Sequence, residues 1–415
     1  PFSETDADDL DTSRIVADSI SAGKPIIVVS LNYRLNIFSF GDGKEKNLAI
    51  KDQKLGIDWV RKNISAFGGD PVSYINPNAI PALIPLDNIT LAGESAGAIY
   101  VHAHLISGPP VKRAVLASGS LYLSSPLPLE RGDGLIKTLE AKVRELGHKS
   151  LREAPVPALL QALKECNVNT MWIQEDPELK DWETRLEQVD ELMIGDVEYE
   201  VRLRLDITTP PAPAMLRLLM QILVRDLENG IELFDGESIA AAFEKDTQWG
   251  TKLRKLYHIV ADRPTAAKLG ALDFVNDTRY TLPVEIIADK LRAAKKPVYR
   301  YLIDQPNPWQ ASSRAHHAVD LLFLFGGVDL SHNPPAEAVG REMRRRWIDF
   351  INGEAPWSAE RRFAYGPFGE CKEIDETQFA ARRRVPHLKA LREAGTAVYL
   401  PIVFALTAGR ISLHN

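Results

Sequence analysis

Gly93-Glu94-Ser95-Ala96-Gly97 sets a serine midway between two glycines, where an apolar stretch (Asn88 to Ala92) meets a helix-patterned one (Ala96 to Ile106). No other feature constrains the fold of the chain as much. A strand that turns at once into a helix forces strained backbone on the corner residue, and glycines on either side let strand and helix approach without colliding Cβ atoms. The helix also presents its unpaired first N–H groups, and the positive end of its dipole, beside the serine hydroxyl. Arg113 to Ala117 is strand-like again and ends at Ser118-Gly119-Ser120, completing a strand-helix-strand unit. That order builds a parallel sheet with crossover helices.

The rest of the chain extends the pattern. Pro25 to Leu31 is a short, continuously apolar, β-branched run, which predicts a central strand covered on both faces. From Asp52 to Phe67 the apolar residues Leu55, Trp59, Val60, Ile64 and Phe67 recur at three- and four-residue steps, predicting an amphipathic helix ended by Gly68-Gly69. Residues 151–294 are richer in charge and helical pattern, which suits a cap-like excursion packed on the sheet. Proline clusters at Pro210-Pro211-Ala212-Pro213 and Pro334-Pro335 mark loops. Pro297 to Asp304 restores a strand signal, and Glu337 to Ile351, with Met343, Trp347 and Phe350 in step, predicts a helix. The fold class is therefore α/β, a mostly parallel central sheet flanked by helices, read as one domain over 1–415.

Several classes are excluded. A net charge of -6 argues against nucleic acid as a partner. Cys166 and Cys371 are too few and too far apart for a metal knuckle or a disulfide framework. The most apolar run, Thr396 to Ala408, falls short of the ~20 residues that span a bilayer, so it reads as a core strand or an apolar tail and no transmembrane span is expected. The acidic first residues, PFSETDADDLDTSRIV, lack the basic and apolar regions of a signal peptide.

Blocks along the chain resemble a known family. They are Val29 to Leu35, Asn47 to Gln53, Asp58 to Pro71, Asp87 to Ala98, Ala114 to Ser120, Pro297 to Pro308 and His317 to Gly326, in that order. The sequence resembles the type-B carboxylesterase/lipase family of α/β-hydrolases, the cholinesterase-like group, and its fungal members in particular. The resemblance implies a serine hydrolase acting on small-molecule carboxylic esters, with a Ser-Glu-His triad in that chain order and no metal or organic cofactor. Ser95 would be the nucleophile.

A serine nucleophile needs a base within hydrogen-bond reach, and the base needs a carboxylate to fix its tautomer. His102 and His104 lie at alternate helix positions, which diverge. In the family the catalytic histidine stands three residues before an acid and nine before a glycine; His317 meets both with Asp320 and Gly326, and His316 is the alternative. The family acid lies five positions after a glycine, which from Gly195 is Glu200; Glu198 and Asp196 are alternatives. The resemblance further assigns the Ala96 N–H to the oxyanion hole and supporting roles to Glu94 and Ser118.

Two departures shape expectations. The family's other oxyanion donors come from an H-G-G-G loop that this chain does not contain, so the chain is expected to be a fragment lacking N-terminal strands. An inactive binding protein that keeps the serine turn as a relic is the competing reading. Residues 72–86, with Pro77, Pro81 and Pro85, interrupt a connection that is direct in the family, as a surface insertion or a translated intron. Asn63-Ile64-Ser65, Asn88-Ile89-Thr90 and Asn276-Asp277-Thr278 match the N-glycosylation pattern.

Overall fold

A computed structural model describes residues 11–41, 45–70, 88–108, 111–166, 168, 173–201, 235–244 and 247–407. The expected insertion at 72–86 and the proline cluster at 210–213 lie outside them. Six strands form one sheet in sequence order: β1 (Thr90–Glu94), β2 (Val111–Ala117), β3 (Val189–Val197), β4 (Val298–Ile303), β5 (Arg362–Tyr365) and β6 (Cys371–Ile374). The first five are parallel and β6 closes an antiparallel hairpin on β5. The register Glu94–Ala117–Gly195–Tyr301 aligns the carboxyl ends of four strands along one edge. This is the mostly parallel, helix-flanked sheet expected of the α/β class.

Both faces of the central strands are covered, and the period of two sorts their side chains. On β3, Met193 and Val197 enter one core with Val115, Tyr299 and Phe350. Leu192 and Ile194 enter the opposite core with Ala98, Leu116 and Ile287. Helix Pro334–Ile351 builds the first core by turning Val339, Met343, Trp347 and Phe350 inward. It starts earlier than the sequence predicts: Asn333 caps it, its side chain accepting from the Ala336 N–H, and Pro334-Pro335 fill the first turn, where no N–H bond is lost. Phe350 is fully buried against the Tyr299 ring. Phe350→Ala is expected to cost about 3–5 kcal/mol, measured as a lowered urea midpoint with an unchanged slope.

Three local expectations are corrected. Residues 25–31 form no strand; Ile27, Val28 and Val29 are 45%, 41% and 40% exposed. A strand is defined by its ladder, and this segment instead lies along helix Leu48–Asn63 and the turn after it, with Leu31 over Gly56 and Ile27 over Gly69. That helix exists, but its inward face is Ala49, Ile50, Gln53 and Ile57, while Leu55 and Trp59 are 69% and 49% exposed. Large apolar residues mark a helical period without saying which stripe meets the sheet. The run from Thr396 is neither strand nor tail but the helix Thr396–Thr407. Tyr399, Ile402, Val403 and Leu406, spaced three, one and three, pack into a core shared with helix Val385–Ala394.

Of region 151–294, residues 189–197 are β3 in the middle of the sheet, and helices Gly236–Ala242, Thr247–Leu256, Pro264–Asn276 and Leu282–Ala293 follow. Cys166 and Cys371 are free thiols. No single helix among the described residues is long and apolar enough to cross a membrane.

Candidate active site

Ser95 stands between β1 and helix Ala96–Ser107 with φ 54° and ψ -117°, a left-handed conformation that costs a non-glycine residue about 1–3 kcal/mol. The turn is held by the Ser95 N–H, which donates to the Ala117 carbonyl at 2.9 Å, and by the start of the helix, where Ile99 N–H donates to the Ser95 carbonyl. Gly93 and Gly119 make this possible. A Cβ on Gly93 would lie 2.3 Å from the Gly97 carbonyl carbon, and one on Gly119 would lie 2.3 Å from the Ser95 carbonyl oxygen. Gly97 differs from the sequence argument, since its own Cβ position opens onto free space. The Ala96 N–H is the first of the helix and has no intrahelical acceptor.

His317, in the loop that follows β4, lies in line with this turn. Its Nε2 is 2.7 Å from Ser95 Oγ and its Nδ1 is 2.5 Å from Glu200 Oε2. A carboxylate can only accept, so Nδ1 carries the proton and Nε2 is left to accept from the serine hydroxyl. All three side chains are buried, at 3% exposure or less. Glu200 is fixed in turn: its Oε1 accepts from the Val197 N–H at 2.9 Å, and its own N–H donates to Asn276 Oδ1 at 2.8 Å.

The alternatives face elsewhere. Asp196 meets Arg383 and Thr281, and Glu198 pairs with Arg314. His316 Nδ1–H donates to the His317 carbonyl at 2.9 Å, so its Nε2 accepts from Asn307 at 2.8 Å, and burial pushes its pKa down to about 4. His102 accepts from the Leu121 N–H and donates to Glu187, and His104 donates to Gln53. The two rings of the H-x-H pair therefore serve different structural bonds. Ser118, with φ 47°, donates its N–H to the Gly195 carbonyl and joins the ends of β2 and β3.

Two further carboxyls surround His317. Glu94 Oε1 lies 3.4 Å from Nε2 and, like Asp320 Oδ1, has no hydrogen-bond partner among the described residues. Burial lifts Glu94 to about 8 and Asp320 to about 7. Burial opposes the charged ring of His317, but Glu94, Glu200 and Asp320 together outweigh it and raise its pKa to about 9. Tyr280 closes the site edge-on to the His317 ring, with centroids 5.6 Å apart.

Sequence reasoning missed Asn276. Its sequence context marks it only as a glycosylation acceptor, yet it is wholly buried with its oxygen on the Glu200 backbone. The pairing joins residues 76 apart, which no local pattern encodes.

A family model described as the carboxylesterase family matches residues 2–385. The chain is 27% identical over 392 residues to Lipase 3 of Yarrowia lipolytica, covering 91% of this chain and 70% of that protein. Over a shorter stretch of 114 residues it is 42% identical to the inactive carboxylesterase-like protein VdtD of Byssochlamys spectabilis, covering 26% of this chain and 17% of that protein. Among solved structures, a PNB esterase superposes with a TM-score of 0.63 at 20% identity, covering 92% of this chain and 78% of that one.

Proposed function

Because this chain belongs to the carboxylesterase family and is a carboxylic ester hydrolase, we propose that it works through an acyl-serine intermediate with Ser95, His317 and Glu200 as its triad. The observation that carries this reading is the continuous hydrogen-bonded path from Ser95 Oγ through both nitrogens of His317 to Glu200. Ser95 Oγ attacks the ester carbonyl while Nε2 takes its proton. The Glu200 carboxylate stabilises the imidazolium that forms and holds the ring in place. The Ala96 N–H donates to the oxyanion of the tetrahedral intermediate. His317 then returns the proton to the leaving alkoxide, and water, deprotonated by the same nitrogen, releases the acid from Ser95.

Glu94 contributes a second buried carboxyl beside Nε2: burial raises its own pKa, and its charge, with that of Glu200, favours the imidazolium that forms during attack. Ser118 supports the end of β2 against β3 beside the serine turn.

The test is covalent labelling of the purified chain with a fluorophosphonate, followed by mass mapping of the modified peptide. Modification at Ser95 and nowhere else is expected. A protein that melts cooperatively but takes up no label would overturn the triad and favour a non-catalytic binding role for the fold; the relative VdtD is likewise named as inactive.

A further inference from the structure

Outside the site lies a run of three arginines, Arg382-Arg383-Arg384, just before helix Val385–Ala394. None of them is a solvated charge. Arg382 Nη1 lies 2.5 Å from Asp304 Oδ2. Arg383, 5% exposed, bridges Asp304 at 2.8 Å and Asp196 at 3.0 Å, two aspartates at the carboxyl ends of adjacent parallel strands. Arg384 grips Asp277 with two parallel bonds of 2.7 and 2.9 Å and reaches Asp273 at 3.3 Å.

These aspartates are not scattered. Asp196 stands at the end of β3, four residues before Glu200, and its other oxygen accepts from Thr281 Oγ1 at 2.7 Å. Asp273 and Asp277 flank Asn276, the residue that accepts the Glu200 N–H, and Asp273 also accepts from the Tyr199 hydroxyl at 2.7 Å. From Asp277 to Thr281 the helix widens into a π-helical turn. Such turns are scarce and concentrate at functional sites. This one sets Asp277 toward Arg384, the Tyr280 ring against His317, and Thr281 onto Asp196.

We propose that Arg383 and Arg384 are positioning residues for the triad acid: Arg383 fixes the end of β3 that leads into Glu200 through Asp196, and Arg384 fixes the π-helical turn that follows Asn276, the acceptor of the Glu200 N–H, and sets Tyr280 against His317 and Thr281 onto Asp196. The inference rests on the triad reading above. Bidentate guanidinium geometry is what makes it specific, since a lysine ammonium keeps the charge but cannot hold two oxygens in a plane. A triad acid that shifts by a fraction of an ångström no longer orients His317, although the ester still binds.

The experiment measures fluorophosphonate labelling rate against pH, and ester hydrolysis, for the full chain and for Arg383→Lys, Arg384→Lys, Thr281→Val and Thr281→Ser, with rates expressed per folded molecule. The groups facing the His317 ring are Ser95, Glu94, Glu200, Asp320 and Tyr280, and none of them is itself substituted. Expected are a roughly tenfold or greater fall in labelling rate and kcat for the lysine variants and Thr281→Val, with KM within about twofold. Weaker contact with Glu200 lowers the basicity of His317, so the rise of rate with pH moves to lower pH as its plateau drops. Thr281→Ser, which keeps the hydroxyl, is expected to react like the parent.

Unchanged rate per folded molecule and an unmoved pH profile would overturn the proposal, even if the melting temperature falls, because the arginines would then act on stability alone. Thr281→Val leaves every charge in place and decides the matter if a lysine variant does not fold. Absence of labelling in the parent chain would overturn the triad reading, and the positioning role with it.

Discussion

Replacing Ser95 by alanine is expected to reduce kcat toward a chromogenic short-chain ester by about a million-fold, with labelling by fluorophosphonate abolished. The argument is geometric. Ser95 Oγ is the one hydroxyl on His317 Nε2, at 2.7 Å among the described residues, so no neighbour can take over attack. The substitution is also mild for the fold. Alanine bears the same positive φ as serine, and the bonds that hold the turn, from the Ser95 N–H to Ala117 and from Ile99 to the Ser95 carbonyl, are backbone bonds. An unchanged melting curve together with lost turnover separates chemistry from folding. Retention of more than about a hundredth of the rate would remove Ser95 from the nucleophile's role.

Glu200→Gln is expected to lower kcat by about 10⁴-fold while KM changes little. Its partners dictate how the amide must sit. Glu200 Oε1 accepts from the Val197 N–H, and only the amide oxygen can keep that bond, so the NH₂ group is turned toward His317 Nδ1. Nδ1 then has to accept, the proton moves to Nε2, and the ring points a donor at Ser95 where an acceptor is needed. Glu200 is also among the groups that hold the imidazole at about 9, so its loss moves the rise of rate with pH toward lower pH. Steady-state rates across pH, with the ester held well below KM, read both effects. A variant with the parental rate would hand the acid role to another carboxyl.

The serine turn was readable because its determinants are local: a motif of five residues, an apolar strand before it and an apolar helix after. The parallel class of the sheet was readable for the same reason, from the strand-helix-strand unit around Ser95, whereas its strand order and the hairpin of β5 and β6 were not. Asp196, Glu198 and Glu200 could not be separated on sequence, since they stand at alternate positions from the end of β3 into the segment after it. They are sorted by partners on other elements, Arg383, Arg314 and His317, at separations of 187, 116 and 117 residues. The same distance hid the arginine run, which has no meaning until its aspartates are found at the ends of β3 and β4. The helix Thr396–Thr407 was misread because an almost wholly apolar segment carries no period to separate strand from helix. Residues 25–31 were misread because β-branched composition proposes a strand but cannot supply its neighbour.

The order of the sheet along the chain has a consequence for synthesis. Ser95 is made first, Glu200 next, His317 more than two hundred residues after the serine, and Arg383, which pairs with Asp196 at the end of β3, last of all. A chain emerging from the ribosome therefore displays its serine turn long before anything can draw a proton from it, and only the final helices bring the acid to rest. Late arrival of these distant partners makes assembly of the site slow relative to that of the local helices. With the triad proposed above, the nascent protein is expected to be chemically silent until its C-terminal third has docked.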